Sequence, residues 1–190
     1  VSAISRAGGT DDIWVGVLSQ LPSGEFNSVA RLKRDGTEAF PPVPLASGFE
    51  NVIRTVALAD GGYKVYVGGD FSEGIFRLNE DGSLDNTFIV GSGFNGSVST
   101  IVPVGAGSDD IYVGGFFTKY QDVDVGGLVR LDVNGARVVN FAGTQEIQAV
   151  APAGMDGTYP DGSVYSGGEF YPRLYLRWAN GRIDPFFILR

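Results

Sequence analysis

The sequence predicts an all-β chain built from four small antiparallel sheets, and three observations carry that expectation. One phrase recurs four times: a hydrophobic strand ending in glycine, a strand with an arginine near its middle, an Asp-Gly or Asn-Gly pair and a closing phenylalanine. The apolar runs are filled by β-branched and aromatic residues, and no window shows a 3.6-residue apolar period. Glycine, at 29 of 190 residues, is about twice its usual share of roughly 7%. It clusters between the runs, where tight hairpins need positive φ angles.

Taken in order, each repeat reads as four strands. The first strands are residues 1–5, 52–58, 98–104 and 147–153. Hairpin chemistry follows each one, at residues 8–12, 60–62, 107–110 and 160–162, between two hydrophobic runs. The second strand is the glycine-ending run, starting at Ile13, Val65, Ile111 and Val164. It carries Gly68-Gly69, Gly114-Gly115 and Gly167-Gly168 in the last three repeats. These glycines read as strand breaks, bulges or places where a neighbour comes close. The third strand holds Arg31, Arg77, Arg130 or Arg177. The Asp-Gly or Asn-Gly pair after it predicts a type I′ turn. A short fourth strand ends on Phe40, Phe88, Phe141 or Phe187.

The repeats start about 45–53 residues apart, the length of a four-stranded propeller blade and far above that of a leucine-rich repeat. Within the strands, Phe76 and Leu78 share one face while Ile75 and Arg77 share the other, so both faces are largely apolar. A sheet with one wet face alternates more cleanly. Sheets covered on both faces suit blades stacked around an axis. The expectation is one propeller-like domain, residues 1–190, with repeats 1–49, 50–94, 95–143 and 144–190. Closure into a ring of four is favoured over a segment of a larger array. The chain opens inside a repeat without an initiator methionine, which suggests a longer or processed parent.

The phrase Val67-Gly68-Gly69-Asp70-Phe71, then Arg77-Leu78-Asn79-Glu80-Asp81-Gly82-Ser83-Leu84-Asp85 and Thr87-Phe88, resembles the delta-60 repeat family. Gly114-Gly115-Phe116-Phe117-Thr118 through Gly127-Leu128-Val129-Arg130-Leu131 is similar to it as well. The first repeat departs from the pattern, with Val17 in place of the second glycine, and the last shortens the turn after Arg177 by one residue. The resemblance implies a β-propeller-like fold and a place in large bacterial surface or secreted proteins or phage structural proteins. It implies no assigned reaction.

Composition narrows function mainly by exclusion. A net charge of −8 argues against a nucleic-acid partner held through phosphates. No apolar run is long enough for a membrane span. There is neither cysteine nor histidine, so the thiolate nucleophile and the commonest general base are both missing. Paired carboxylates remain a route to glycoside hydrolysis, with Glu50, Glu73, Asp124, Glu146 and Glu169 as the acids that do not recur between repeats. The glycine pairs lack the lysine and helix of a phosphate loop. No cofactor is expected. A hard cation such as Ca²⁺ is a secondary option at Asp109-Asp110 or Asp122-Val123-Asp124, since Asp81-Gly82-Ser83-Leu84-Asp85 copies a turn and not an EF-hand.

The four arginines invite comparison with an anion clamp. Their once-per-repeat placement in apolar strands favours buried structural parts, with loop carbonyls and Asp70, Asp85 or Glu169 as acceptors. The sequence reading is therefore a non-catalytic structural or interaction module of an extracellular assembly, such as a phage virion fibre or a bacterial surface filament. A carbohydrate- or protein-binding adhesin module is the alternative. Its recognition residues are sought where the repeats differ: Tyr120, Gln121, Asp122 and Asp124 in the loop 119–126, with Tyr120 its exposed aromatic, and Tyr159 and Tyr171. Partners are protein subunits or surface glycans, and the place is extracellular, on a cell surface or on a virion.

Overall fold

A computed structural model of the chain describes residues 2–7, 10–17, 28–39, 43–44, 52–59, 63–105, 108–142, 147–153, 163–168, 174–178, 180, 182–184 and 187. Among them there is no helix. Sheet 1 holds β1 (Ala3–Arg6), β2 (Ile13–Val17), β3 (Ser28–Leu32) and β4 (Val43–Pro44) in that order. Sheet 2 holds β5 (Ile53–Leu58), β6 (Lys64–Gly69) and β7 (Ile75–Asn79). Sheet 3 holds β8 (Ser97–Gly105) and β9 (Ser108–Phe116). After the small β10 (Lys119–Tyr120) and β11 (Val123–Asp124) hairpin, it is completed by β12 (Leu128–Leu131) and β13 (Arg137–Ala142). Sheet 4 holds β14 (Ala149–Ala153), β15 (Ser163–Gly167) and β16 (Leu174–Arg177). Every strand pairing is antiparallel.

The first three strands of each repeat thus fall where the sequence places them, with ends shifted by one to three residues, the largest shift at β9, whose start takes in 108–110 of the expected hairpin turn. The fourth strand does not recur. Among the described residues it is a named strand in sheets 1 and 3, whereas in sheets 2 and 4 the return shows single bridges, Leu78 to Leu84 and Arg177 to Ile183. Leu32 to Glu38 and Leu131 to Arg137 are the same contact in the other two repeats. A short segment satisfied by one bridge and a buried aromatic needs no longer ladder. Phe88 and Phe141 are buried beneath those returns.

The turn after the arginine strand also differs from the expected type I′. Gly36, Gly82 and Gly135 take positive φ, but Asp35, Asp81 and Asn134 do not. The amide of each glycine donates to the carbonyl three residues back (Lys33, Asn79, Asp132), and that same residue's amide bonds the residue after the glycine. This is a type I turn followed by a left-handed glycine, the three-residue hairpin with a G1 bulge. The aspartates contribute through their side chains, Asp35 Oδ1 and Asp81 Oδ1 accepting from the amides of Thr37 and Ser83 at 2.9 Å, as Asx turns do. The described type I′-like turn lies instead at Gln121 and Asp122, φ 49° and 62°.

Successive sheets pack through alternating faces. The face of sheet 1 bearing Trp14 and Val29 meets Val56, Val65, Val67 and Leu78 of sheet 2. Tyr66, Ile75 and Phe88 on the far side of sheet 2 meet Ile101, Ile111, Val113 and Leu131. Tyr112, Leu128 and Phe141 of sheet 3 meet Val150 and Val164. Each seam joins an aromatic-bearing face to the aliphatic face of the next repeat.

The glycines explain how the seams close. They are not strand breaks: Gly68, Gly69, Gly114 and Gly115 lie inside β6 and β9, and Gly167 ends β15. A Cβ on Gly16 would stand 2.7 Å from Ile53 Cγ2. On Gly68 it would stand 2.6 Å from Val98 Cγ1, and on Gly114 2.8 Å from Ile147 Cγ2. Ile53 and Val98 belong to the first strand of the following repeat, and Ile147 lies two residues before it. The second glycine admits backbone instead, with Val52 O and Ser97 O each 2.1 Å from a Cβ built at Gly69 or Gly115. There the partner strand bulges, between Ile53 and Thr55 and between Val98 and Thr100.

Two faces are left at the ends of this series. Ile4 is 64% exposed, while Val56, Ile101 and Val150 at the equivalent place in the other repeats are 7%, 4% and 9% exposed. Val15 and Ala30 in the middle of the same face are buried. At the other end, Tyr165 and Leu174 are half-buried where Tyr66, Ile75, Tyr112 and Leu128 are buried completely.

Candidate functional site

The residues that carry charge in the core are the repeated arginines. Arg31, Arg77 and Arg130 stand opposite Trp14, Tyr66 and Tyr112 on the aromatic faces of their sheets. Arg177 is a correction: it ends its strand opposite Val164, in the place of Leu78, so the turn after it is not shortened and the arginine is offset by one residue onto the other face. Arg77 is buried, and all of its guanidinium nitrogens are used. Nε donates to Asp85 Oδ2 at 2.8 Å, Nη1 to Tyr66 Oη at 3.2 Å and to the carbonyl of Val133, and Nη2 to Thr87 Oγ1 at 3.1 Å. Its plane lies over Phe88, 4.9 Å from the ring centre, close enough for a cation–π contribution. Val133 belongs to the next repeat. Arg31 does the same one repeat earlier, with Nε on Asp12 Oδ2 at 3.0 Å and Nη1 on the carbonyl and carboxylate of Glu80 at 3.4 and 3.3 Å. Glu80 and Val133 are equivalent, each three residues past its own arginine. Arg130 is held by Asp110 at 2.8 Å and 2.7 Å, and Arg177 Nε donates to Ser166 Oγ.

The carboxylate partner changes with one residue. Asp12 and Asp110 directly precede the apolar runs that begin at Ile13 and Ile111. The second repeat has Lys64 in that place, and the acid comes from Asp85 in the turn. Lys64 Nζ also lies 2.8 Å from Asp85 Oδ2. Burial works to raise the Asp85 pKa, but hydrogen bonds from Lys64 and Thr87 and the charge of Arg77 outweigh it. They hold Asp85 well below the carboxylate range. Burial pushes the phenols of Tyr66 and Tyr112 up, so both stay neutral beside their arginines. The four arginines therefore do not form an anion clamp: those described are occupied by acids, hydroxyls and carbonyls of the protein itself.

Of the acceptors expected for them, Asp85 serves, Asp70 does not, and Glu169 lies outside the described residues. Asp70 is paired with Arg54, Oδ1 to Nε at 2.5 Å and Oδ2 to Nη2 at 2.7 Å. That bidentate bond holds its pKa down.

Tyr120 is a correction. It is 1% exposed, not an exposed recognition aromatic. Its Oη donates to Gly135 O at 2.6 Å, and its ring lies 4.5 Å from that of Phe94, which in turn packs on Phe117 at 4.3 Å. The segment 119–126 is a two-residue hairpin rather than an open loop. Lys119 pairs with Asp124 and Tyr120 with Val123 across its tip. Gln121 is half-buried, and Asp122 and Asp124 are exposed there. Tyr159, Tyr171 and the segment 154–162 lie outside the described residues. Asp110 is committed to Arg130, and Asp124 Oδ1 lies 3.8 Å from Lys119 Nζ. Among the described residues, no three His, Cys, Asp or Glu side chains stand together where they could share a metal ion.

An open hollow of about 480 Å³ was not anticipated. It lies where the first strands begin, bordered by Ser2, Ile53, Arg54, Ser99, Phe116 and Gln148. All four repeats contribute, so the four first strands gather around a shared space. Ser2, Arg54, Ser99 and Gln148 each stand one residue before the partner of the first glycine (Ala3, Thr55, Thr100, Ala149). The sequence signal for them is faint: one polar residue per repeat, of different types, at a place recognisable only once the bulges are known.

A family described as a domain of unknown function (DUF5122) beta-propeller matches residues 60–88 and 108–137. No curated protein matches the chain. The matched segments run from four residues before β6 to Phe88 and from the start of β9 to the first residue of β13. They are the two repeats with the fullest phrase, and the match supports a β-propeller-like repeat family.

Loss of the Asp85 charge has a defined pH signature. Asp85→Asn is expected to lower stability at pH 6–7 by about 3 kcal/mol, the usual cost of breaking a buried pair. Because the folded pKa is depressed, the contribution of Asp85 is present above its unfolded pKa of about 4 and is lost as pH falls through the folded value. Urea denaturation of the two proteins at stepped pH should show the gap closing below about pH 4. A gap independent of pH would contradict this assignment.

Proposed function

We propose that this chain is a non-catalytic propeller of delta-60 type, its four repeats forming four blades closed about one axis. Its role is structural: it joins other protein subunits in a larger extracellular assembly, such as a virion fibre or a bacterial surface or secreted filament. The observation that carries this reading is the use to which the charged core is put. Arg31 and Arg77 spend their donors on the turn of the next repeat, and Arg130 spends its own on Asp110. The described acids are similarly committed: Asp85 and Asp70 are in ion pairs, and Glu73 takes a hydrogen bond from Ser72. A chain that invests its buried polar groups in joining repeats has the character of a building part.

The two end faces support closure. Every internal seam sets an aliphatic first-strand residue (Val56, Ile101, Val150) against an aromatic and a branched aliphatic of the preceding sheet. Ile4 is the unused aliphatic, and Tyr165 with Leu174 is the incompletely covered partner face. Ser2 and Gln148, just before the first strands of the two end sheets, border the same hollow, which supports this reading. The adhesin alternative is favoured by that hollow and no longer by Tyr120.

Two measurements test the proposal. The chain has no cysteine, so Ile4→Cys with Leu174→Cys gives a clean cross-link, since a disulfide requires Cα atoms within about 7 Å. Oxidation should yield a compact monomer with an internal disulfide; cross-linked ladders alone would replace the ring with an open array. Immunogold labelling of intact particles or cells should decorate their exterior, and label appearing only after lysis would sink the extracellular role.

A further inference from the structure

We propose that the hollow at the starting ends of the four first strands binds a single neutral pyranose, the ring of a free sugar or a terminal glycan unit. The site is independent of ring closure, because its walls are already in place among the described residues. Its volume of about 480 Å³ falls within the range of small-molecule sites, roughly 300–1,000 Å³.

The chemistry of the wall is what selects a sugar. Phe116 is 43% exposed and stands where the second repeat has Asp70, one residue past the second glycine. It offers an apolar ring to the C–H face of a pyranose, in the way aromatic surfaces serve partly polar ligands. Val52, half-buried at the same wall, adds apolar surface beside it. Around these stand polar groups suited to hydroxyls. Gln148 is exposed and supplies both a donor and an acceptor. The Ser99 hydroxyl is buried with no hydrogen-bond partner, a cost that calls for an explanation.

Arg54 decides between a neutral and an anionic ligand. Its Nε and Nη2 are held by Asp70, so its charge is largely compensated where it borders the hollow. An arginine fixed in this way presents its remaining edge as an oriented donor with little net attraction for an anion. The net charge of −8 further opposes phosphate or carboxylate ligands. Polar groups ringing an apolar patch, without net positive charge, match a neutral polyhydroxylated ring better than an ion or a purely apolar molecule.

Saturation-transfer NMR with glucose, galactose, mannose and N-acetylglucosamine, and with sialic acid and inorganic phosphate as charged probes, tests this directly. At least one neutral sugar should show transfer and saturate with Kd of about 1 mM, a modest affinity for an open site. Phe116→Ala and Gln148→Ala change exposed side chains, so both should fold with unchanged melting, and each should weaken binding about tenfold. No transfer to any neutral sugar would overturn the proposal. Transfer that survives both substitutions, or a response confined to the charged probes, would overturn it equally.

Discussion

A guanidinium buried between two sheets is costly unless each of its donors is met, and here the means of meeting them crosses from one repeat to the next. Arg77 rises from the middle of β7, is neutralised within its own repeat by Asp85, and reaches the carbonyl of Val133 in the turn of sheet 3. Arg31 reaches Glu80 in the same way. A buried ion pair adds little net stability over an apolar pair of the same shape. Its effect is geometric: the Nη1 donors of Arg31 and Arg77 are met when the turns of sheets 2 and 3 lie opposite the arginine of the repeat before. The glycines serve the same seam from the other end. Gly16, Gly68 and Gly114 remove the side chains that would hold the next first strand away. One edge of each seam is thus set by a long polar side chain, and the other by the absence of any side chain.

This division of labour accounts for how the repeats tolerate sequence drift. The residue before the apolar run of the second strand is Asp12, Lys64 or Asp110, a reversal of charge beside a core arginine. The fold absorbs it because Asp85, five residues past the type I turn's first central position, can replace the missing acid, and Lys64 then binds the same carboxylate. The fourth strand varies even more freely, from the six residues of β13 to a single bridge. Nothing in the seam depends on its length, only on the aromatic that it buries.

Much of the fold was legible in the sequence because its signals are periodic. The arginine strands, the glycine-ending strands and their two apolar faces could all be read from alternation and recurrence. Asp85 could be named as an arginine partner because it recurs near the turn. What was not legible depends on three-dimensional pairing. The Asp-Gly and Asn-Gly pairs suggested type I′ turns, yet the aspartates accept hydrogen bonds from the amides two residues on, which holds them at negative φ and leaves only the glycine left-handed. Tyr120 looked exposed because polar residues surround it in the chain; a hairpin folds it onto Phe94 and Phe117, and its hydroxyl finds Gly135. The bulges opposite Gly69 and Gly115 turn Arg54 and Ser99 to the shared hollow, and no linear pattern marks a bulge.

The account rests on coupling between repeats, and hydrogen–deuterium exchange on Arg77→Met measures that coupling most directly. Methionine fills part of the volume while removing the donors to Asp85 and to Val133. If the arginine joins the sheets, amides of β7 and its turn and amides of the turn 132–136 in the next repeat will lose protection together, while β2 and β3 change little. Loss of protection confined to residues 64–88, with 128–137 unaffected, would show that Arg77 serves only its own sheet, and would contradict the claim.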